Sequence, residues 1–395
     1  MVAYLDHAAT TPVRPQAIAA WHDAPPGNAS SLHATGRRAR RVLEEARESI
    51  ADDLGVAAGD VIITSGGTLA DNLAITGIHT ARRAANPSLD TVVISAVEHH
   101  AVADTARALP HTRLLVAPVD PDGRLDLDAF ARLVAAESTR ISLVSVMSAN
   151  NEVGTVQPVA EVADAVRGYG IPLHVDAVQS AGWFGAPVPE RTAGVSFAVS
   201  GHKFGAPLGV GALVLPAAIG VHPIIHGGGQ ERRVHSGTLD VASAAAMAAA
   251  LRVSRASALA SGEPGVTLPQ LRDELRAAIV RVAPNERIVT PASDALPGIV
   301  TAIFDGCESD AILMLLDAAG VECSAGSACT AGIPEPSEVL LAMGATVAQA
   351  RSAVRFSLGW TSTRADVAAV AAALPGALER AGRSSARLRD RVGAS

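Results

Sequence analysis

Ser200-Gly201-His202-Lys203-Phe204-Gly205 sets a lysine between glycines and beside a histidine, a setting that surface decoration explains poorly. Lysine is the side chain that forms Schiff bases with carbonyl compounds. His174-Val175-Asp176-Ala177-Val178-Gln179 closes a short apolar run on Asp176. Ligands of parallel α/β sheets bind beyond such strand ends, although an aspartate there serves equally as a helix cap. Thr64-Ser65-Gly66-Gly67-Thr68 follows another apolar run and precedes a helical stretch starting near Leu69. Glycines admit close backbone approach, and free N–H groups at a helix start attract phosphate; alone, the segment reads first as an ordinary turn. Ser324-Ala325-Gly326-Ser327-Ala328-Cys329-Thr330-Ala331-Gly332 surrounds a cysteine with tiny residues. That thiol has no bulky neighbours to pack against, so a nucleophile on a mobile loop is the better account. Cys307 and Cys323 sit in or beside apolar segments and read as core.

Asp176 and Lys203 together are more telling than either alone. Pyridoxal phosphate sites pair a Schiff-base lysine with an acid facing the pyridine nitrogen. Each residue here follows one of two successive apolar runs.

The elements that must position these groups are legible as well. Seven runs rich in Val, Ile and Leu occur at Val61–Thr64, Val92–Ser95, Leu114–Ala117, Ser142–Val146, Pro172–Val175, Ser196–Val199 and Gly211–Leu215. Runs of that length suit strands buried on both faces of a mostly parallel sheet covered by helices. Ala39, Val42, Leu43, Ala46, Ile50 and Leu54 recur at helical spacing, and Gly55 supplies a stop. The expected fold is α/β: a large domain over residues 13–255 and a smaller α+β domain from 1–12 and 256–395. The smaller part contributes candidate strands Ile299–Phe304 and Val354–Leu358 and carries the cysteine loop. The last dozen residues, rich in Arg and Ser, read as a frayed tail.

Bulk properties remove several function classes. The 395 residues are 49% hydrophobic with a formal charge of -7, which suits a globular chain and gives no electrostatic reason to bind nucleic acid. Arg37, Arg38, Arg40 and Arg41 are followed by Glu44, Glu45 and Glu48, the pattern of a solvated helix face. No apolar run reaches the roughly 18 residues needed to cross a bilayer. The start of the chain lacks signal-peptide features, and three unevenly spaced cysteines make no disulfide framework. A cytoplasmic protein is expected.

Further segments extend the pattern: Tyr4-Leu5-Asp6-His7-Ala8-Ala9-Thr10-Thr11-Pro12, Gly27-Asn28-Ala29-Ser30-Ser31-Leu32-His33, Glu98-His99, Asn150-Asn151-Glu152-Val153-Gly154, Ser236-Gly237-Thr238-Leu239 and Arg355-Phe356-Ser357-Leu358-Gly359. With the four segments above, they resemble the cysteine desulfurases of the NifS/IscS type, fold-type I pyridoxal phosphate enzymes of the class-V aminotransferase family. The resemblance implies a mostly parallel seven-stranded sheet and a homodimer that takes L-cysteine. It implies that Lys203 carries the cofactor, that Asp176 keeps the pyridine nitrogen protonated and that His99 stacks on the ring. Asn151 and Gln179 would contact the ring side and the substrate region. Gly67, Thr68, Ser200 and His202 would hold the phosphate, with Thr238 reaching it from the other subunit. Arg355 would clamp the substrate carboxylate. Cys329 would take the sulfur as a persulfide, release alanine and pass the sulfur to an acceptor protein. The acceptor could serve iron–sulfur assembly, tRNA thiolation or DNA phosphorothioation. No bound metal is implied; Cys329 is at most a passing ligand to an iron–sulfur unit. Two positions depart from the family pattern: Leu69 stands where Glu is usual, and His235 where Arg is usual. Competing readings are a selenocysteine lyase, or another lyase of the same fold, and a scaffold that docks sulfur acceptors.

Overall fold

The computed structural model describes residues 2–188, 194–325 and 336–392, the last stretch as backbone alone from residue 384. Its strands in chain order are β1 (Ala3–Tyr4), β2 (Val61–Thr64), β3 (Thr91–Ser95), β4 (Arg113–Ala117), β5 (Ile141–Ser145), β6 (Leu173–Asp176), β7 (Val195–Ser200), β8 (Gly211–Val214), β9 (Arg287–Ile288), β10 (Ile299–Ile303), β11 (Val321–Glu322) and β12 (Ala353–Ser357). Seven of them form one sheet in the order β2-β8-β7-β6-β5-β3-β4. These are the seven runs read from the sequence, none displaced by more than one residue at either end. β8 runs antiparallel to β2 and β7, and the remaining pairs are parallel. It follows that β2, β3, β5, β6 and β7 all end on the same edge. The loops leaving that edge meet one another, and they carry the chemistry.

Alternation along the strands sorts the two faces. One face presents Ile62, Val92, Ile94, Leu143, Ala198 and Leu213 to the helix Gly67–Ala85, which answers with Ala70, Leu73, Ala74, Ile75 and Ile78. The opposite face presents Ile63, Val93, Val144, Val175, Phe197 and Val199 to helices Ala34–Leu54, Val159–Arg167 and Val241–Ala256. Each large aliphatic side chain buried this way contributes about 1.5–3 kcal/mol. Helix Ala34–Leu54 turns Ala39, Leu43, Ala46, Ile50 and Leu54 inward and leaves Arg37, Arg38, Arg40 and Arg41 exposed. Gly55 stops it at φ 73, a left-handed cap that glycine adopts without a Cβ penalty.

The strands read at Ile299–Phe304 and Val354–Leu358 become β10 and β12, which pair antiparallel, with β9 on the other edge of β10. Helices Leu268–Val282, Ser309–Asp317 and Arg364–Val392 pack around them. The chain start returns to this part: β1 pairs in parallel with β11, and Asp6 bridges Ser357. The final helix runs on to Val392 through Pro375, so residues 384–392 are not a frayed tail. Arg, Leu and Ala are good helix formers, and that propensity outweighs the polar composition there. Among the described residues no helix is long and apolar enough to cross a membrane.

Candidate active site

The common edge of β2, β3, β5, β6 and β7 opens on a cavity of about 330 Å³. Lys203 enters it from the turn Gly201–Lys203 that follows β7. Its Nζ donates to the carbonyls of Ala8 at 2.7 Å and Ala9 at 3.0 Å. Gln179 Nε2 donates to the same Ala8 oxygen at 2.9 Å. Burial, seconded by Arg355, pushes the lysine amine down to about 8, while Asp176 and Asp6 pull the other way. A lysine held near neutrality is a nucleophile and a base rather than a fixed charge.

Asp176, the last residue of β6, is buried in the cavity wall, and its Oδ1 accepts from Val178 N at 2.9 Å. Burial raises its carboxyl, and His99 and Lys203 act against that rise. His99 caps the helix His100–Ala108: its Nδ1 accepts from Ala101 N at 3.1 Å. Nδ1 is therefore unprotonated, and the neutral ring carries its proton on Nε2. Burial lowers the His99 ring, and Asp176 opposes this.

The turn after β2 forms an anion cradle. Gly66 has φ 150, and helix Gly67–Ala85 begins at the next residue, leaving its first amides without partners inside the helix. A Cβ on Gly67 would lie 2.5 Å from Val178 Cγ2 and 3.4 Å from Ser200 Cβ. Thr68, Ser200 and His202 line the same wall. His202 bonds Thr10 Oγ1 through Nδ1 at 3.2 Å, and burial with Lys203 nearby pushes it down to about 4. It is thus a neutral donor at pH 7. Facing them, Arg355 on β12 donates from Nη1 to Asn151 O at 2.8 Å and from Nη2 to Asp6 Oδ1 at 2.9 Å. Its Nε is buried without a partner among the described residues, which leaves it a donor to offer. The amine, the acid, the cradle and the guanidinium together fit a planar carbonyl compound with a phosphate tail and a carboxylate-bearing second ligand.

The structure therefore brings Gly67, Thr68, His99, Asn151, Asp176, Gln179, Ser200, His202, Lys203 and Arg355 to one cavity. Thr238 does not join them: it is exposed and outside the lining. Cys329 lies outside the described residues; Ser324 and Ala325, just before that segment, line the cavity. Cys307 packs in the core as read, whereas Cys323 is only partly buried. Burial and Asp6 push the Cys323 thiol up to about 12, so it is no nucleophile. Leu69 packs against the apolar face of the sheet, and His235 bridges Ile225 with its Nδ1 buried and unpaired among the described residues.

Three groups were given no role from the sequence. Asp6 holds Arg355. Glu98 accepts from Ser95 Oγ and, at 2.8 Å, from Met147 N, and burial pushes it up to about 8. Asp71 lines the cavity floor and is 1% exposed. Asp71 had a signal, a carboxylate inside the stripe Ala70, Ala74, Ile75, Ile78, where a buried charge is costly without a partner.

Residues 3–370 match the family described as aminotransferase class-V. The chain belongs to the class-V aminotransferase family. Its relatives there include an IscS-like cysteine desulfurase of Mycobacterium tuberculosis, 47% identical over 97% of this chain and 98% of that one. The cysteine desulfurase NifS of Azotobacter vinelandii is 36% identical over 94% and 91%. Among solved structures, a NifS-like protein from Rickettsia africae superposes with a TM-score of 0.84 at 28% identity, covering 96% of this chain and all of that one. The seven-stranded sheet and its flanking helices are thus the class-V aminotransferase fold.

Proposed function

We propose that this protein is a cysteine desulfurase that uses pyridoxal 5'-phosphate, releases L-alanine and holds the sulfur as a persulfide on Cys329. The observation that carries the reading is that Lys203 and Asp176 share one cavity with Arg355. The relatives named cysteine desulfurase support it.

Lys203 would hold the cofactor covalently, Asp176 its ring nitrogen, and Gly67, Thr68, Ser200 and His202 its phosphate. When bound, the cofactor supplies an electron sink that acidifies the substrate Cα–H. Arg355 takes the substrate carboxylate with its fork, and Asp6 keeps that fork aimed. The Lys203 amine, pushed down to about 8, would act as the base that takes the substrate Cα proton. His99, whose proton is on Nε2, lines the same cavity and would return protons there. The Cys329 thiolate attacks the substrate sulfur: an S–S bond forms, the C–S bond breaks, and its electron pair stays with the carbon skeleton, which is protonated to alanine. Atoms balance, since cysteine and thiol become alanine and persulfide.

In this reading residues 13–255 hold the cofactor, and 1–12 with 256–395 supply Arg355 and the thiol. The protein works as a cytoplasmic homodimer, Thr238 reaching the partner's phosphate. A separate acceptor protein receives the sulfur. The deciding experiment incubates the protein with cysteine and measures alanine and Cys329-bound sulfur together. Equal amounts are expected in a single turnover. Cys329→Ala should keep the cofactor absorbance yet form no persulfide, and alanine formed without any sulfur on Cys329 would contradict the assignment.

A further inference from the structure

The interface between helix Gly67–Ala85 and the sheet is largely apolar, but His79 meets Ser142 Oγ through Nδ1 at 2.7 Å and a second polar cluster lies beneath the cavity. His174 and Asp176 stand two residues apart on β6, so both side chains leave the face that this helix covers. Ser196 sits opposite His174 in the β6–β7 ladder. Asp71 lies one helical turn after Thr68, on the same helix. His174 Nε2 meets Asp71 Oδ1 at 3.0 Å, and His174 Nδ1 meets Ser196 Oγ at 3.0 Å. Exposure is 1% for Asp71 and 0% for His174 and Ser196. One chain of hydrogen bonds therefore joins the helix that begins at the phosphate cradle to the strand that ends on the ring acid.

We propose that Asp71, His174 and Ser196 form an uncharged strut that fixes the distance between the phosphate cradle and Asp176, making Asp71 and His174 positioning residues for the cofactor. The charges that face Asp71 are Asp176 and Glu98, both carboxyls. Adjacent buried carboxyls do not all ionise. Asp176 has Lys203, His99 and the Val178 amide to favour its anion, whereas among the described residues Asp71 meets His174 alone, which burial pushes down to about 3. The proton therefore stays on Asp71, which donates to His174 Nε2 while His174 Nδ1–H donates to Ser196 Oγ. A neutral strut holds the two anchors without adding a second negative charge beneath the ring or near the phosphate. Buried hydrogen bonds of this kind are costly to leave half made.

The strut rests on the reading that the cavity holds pyridoxal phosphate, and the test separates the two. Wild type, Asp71→Asn, Asp71→Ala and His174→Gln are loaded with pyridoxal phosphate. Cofactor affinity is measured by equilibrium dialysis, and the pH midpoint of the lysine–cofactor absorbance by titration. Asp71→Asn keeps a neutral hydrogen-bonding group, so affinity and midpoint should match wild type. Asp71→Ala should weaken cofactor binding by about tenfold or more. If Asp71→Ala fails to fold, His174→Gln, which keeps volume but spoils the geometry, should show the same loss. A midpoint lowered by about one unit in Asp71→Asn would mean that a negative charge had been removed, and would overturn the neutral strut. Wild-type affinity in Asp71→Ala or His174→Gln would overturn the positioning role. Failure of wild type to bind the cofactor would instead defeat the reading of the cavity.

Discussion

Lys203 is a base because the fold makes its charge expensive. Its amine titrates near 8 in the folded chain against 10.5 as the ordinary value. In the cofactor-free protein the unfolded chain therefore binds more protons between those two pH values. Stability must rise with pH across that window, and the penalty is complete below pH 8. Lys203→Met should remove it, stabilising the cofactor-free protein at pH 7 by up to about 3 kcal/mol and flattening the profile. Cys323 acts oppositely above pH 9, since its folded thiol is pushed up to about 12. The difference between the two denaturation profiles isolates the lysine. Arg355 is held by two partners and keeps a buried Nε that has none among the described residues. Arg355→Ala should lower kcat/KM for cysteine about 100-fold, mostly through KM, with Arg355→Lys recovering only part because it lacks the fork. Steady-state alanine formation measures both.

Among elements, the start of helix Gly67–Ala85 is the least tolerant. A methyl group on Gly67 would collide with Val178 at 2.5 Å, and Val178 sits two residues from Asp176. Gly67→Ala should weaken cofactor binding about tenfold with little change in melting temperature, and a second change, Val178→Ala, should restore it. Cofactor titration followed by absorbance reads this. The elements that the sequence made legible share one trait: their buried runs are long enough to show. β2 to β8 are runs dominated by apolar residues because helices cover both faces of the sheet over all but its β4 edge. The two-residue strands β1, β9 and β11 carry no periodicity and emerge only from pairing. The site residues were legible where glycines or a strand end flagged them, as at Lys203 and Asp176. Asp6 and Glu98 lay in quoted segments, but their work depends on Arg355 and Met147, which are far away in sequence. Such distance leaves no local trace.

At the scale of the molecule, Thr238 stands exposed and away from the cavity formed by its own chain. If it completes the phosphate site of a second copy, inactive chains should complement each other. Mixing Lys203→Ala protein with Thr238→Ala protein and allowing subunits to exchange should restore cysteine-dependent alanine formation. Each mixed dimer then has one site with an intact Lys203 from one chain and an intact Thr238 from the other. Absence of recovery, with exchange verified by mass, would mean that Thr238 does not serve the site of a second copy.

The carbonyls of Ala8 and Ala9 that grip Lys203 belong to a segment tied down by Val321, Glu322 and Ser357. Those anchors are translated some three hundred residues after the segment they secure. During synthesis the amine is thus built, and its strand can pair, long before the lid of carbonyls above it can close. A growing chain halted before Val321 would hold the complete seven-stranded sheet, with the segment over Lys203 held only by nearer ties such as Thr11 N to His202 O at 3.0 Å. The last part of the polypeptide to be made thus adds the final ties on its own reactive nitrogen.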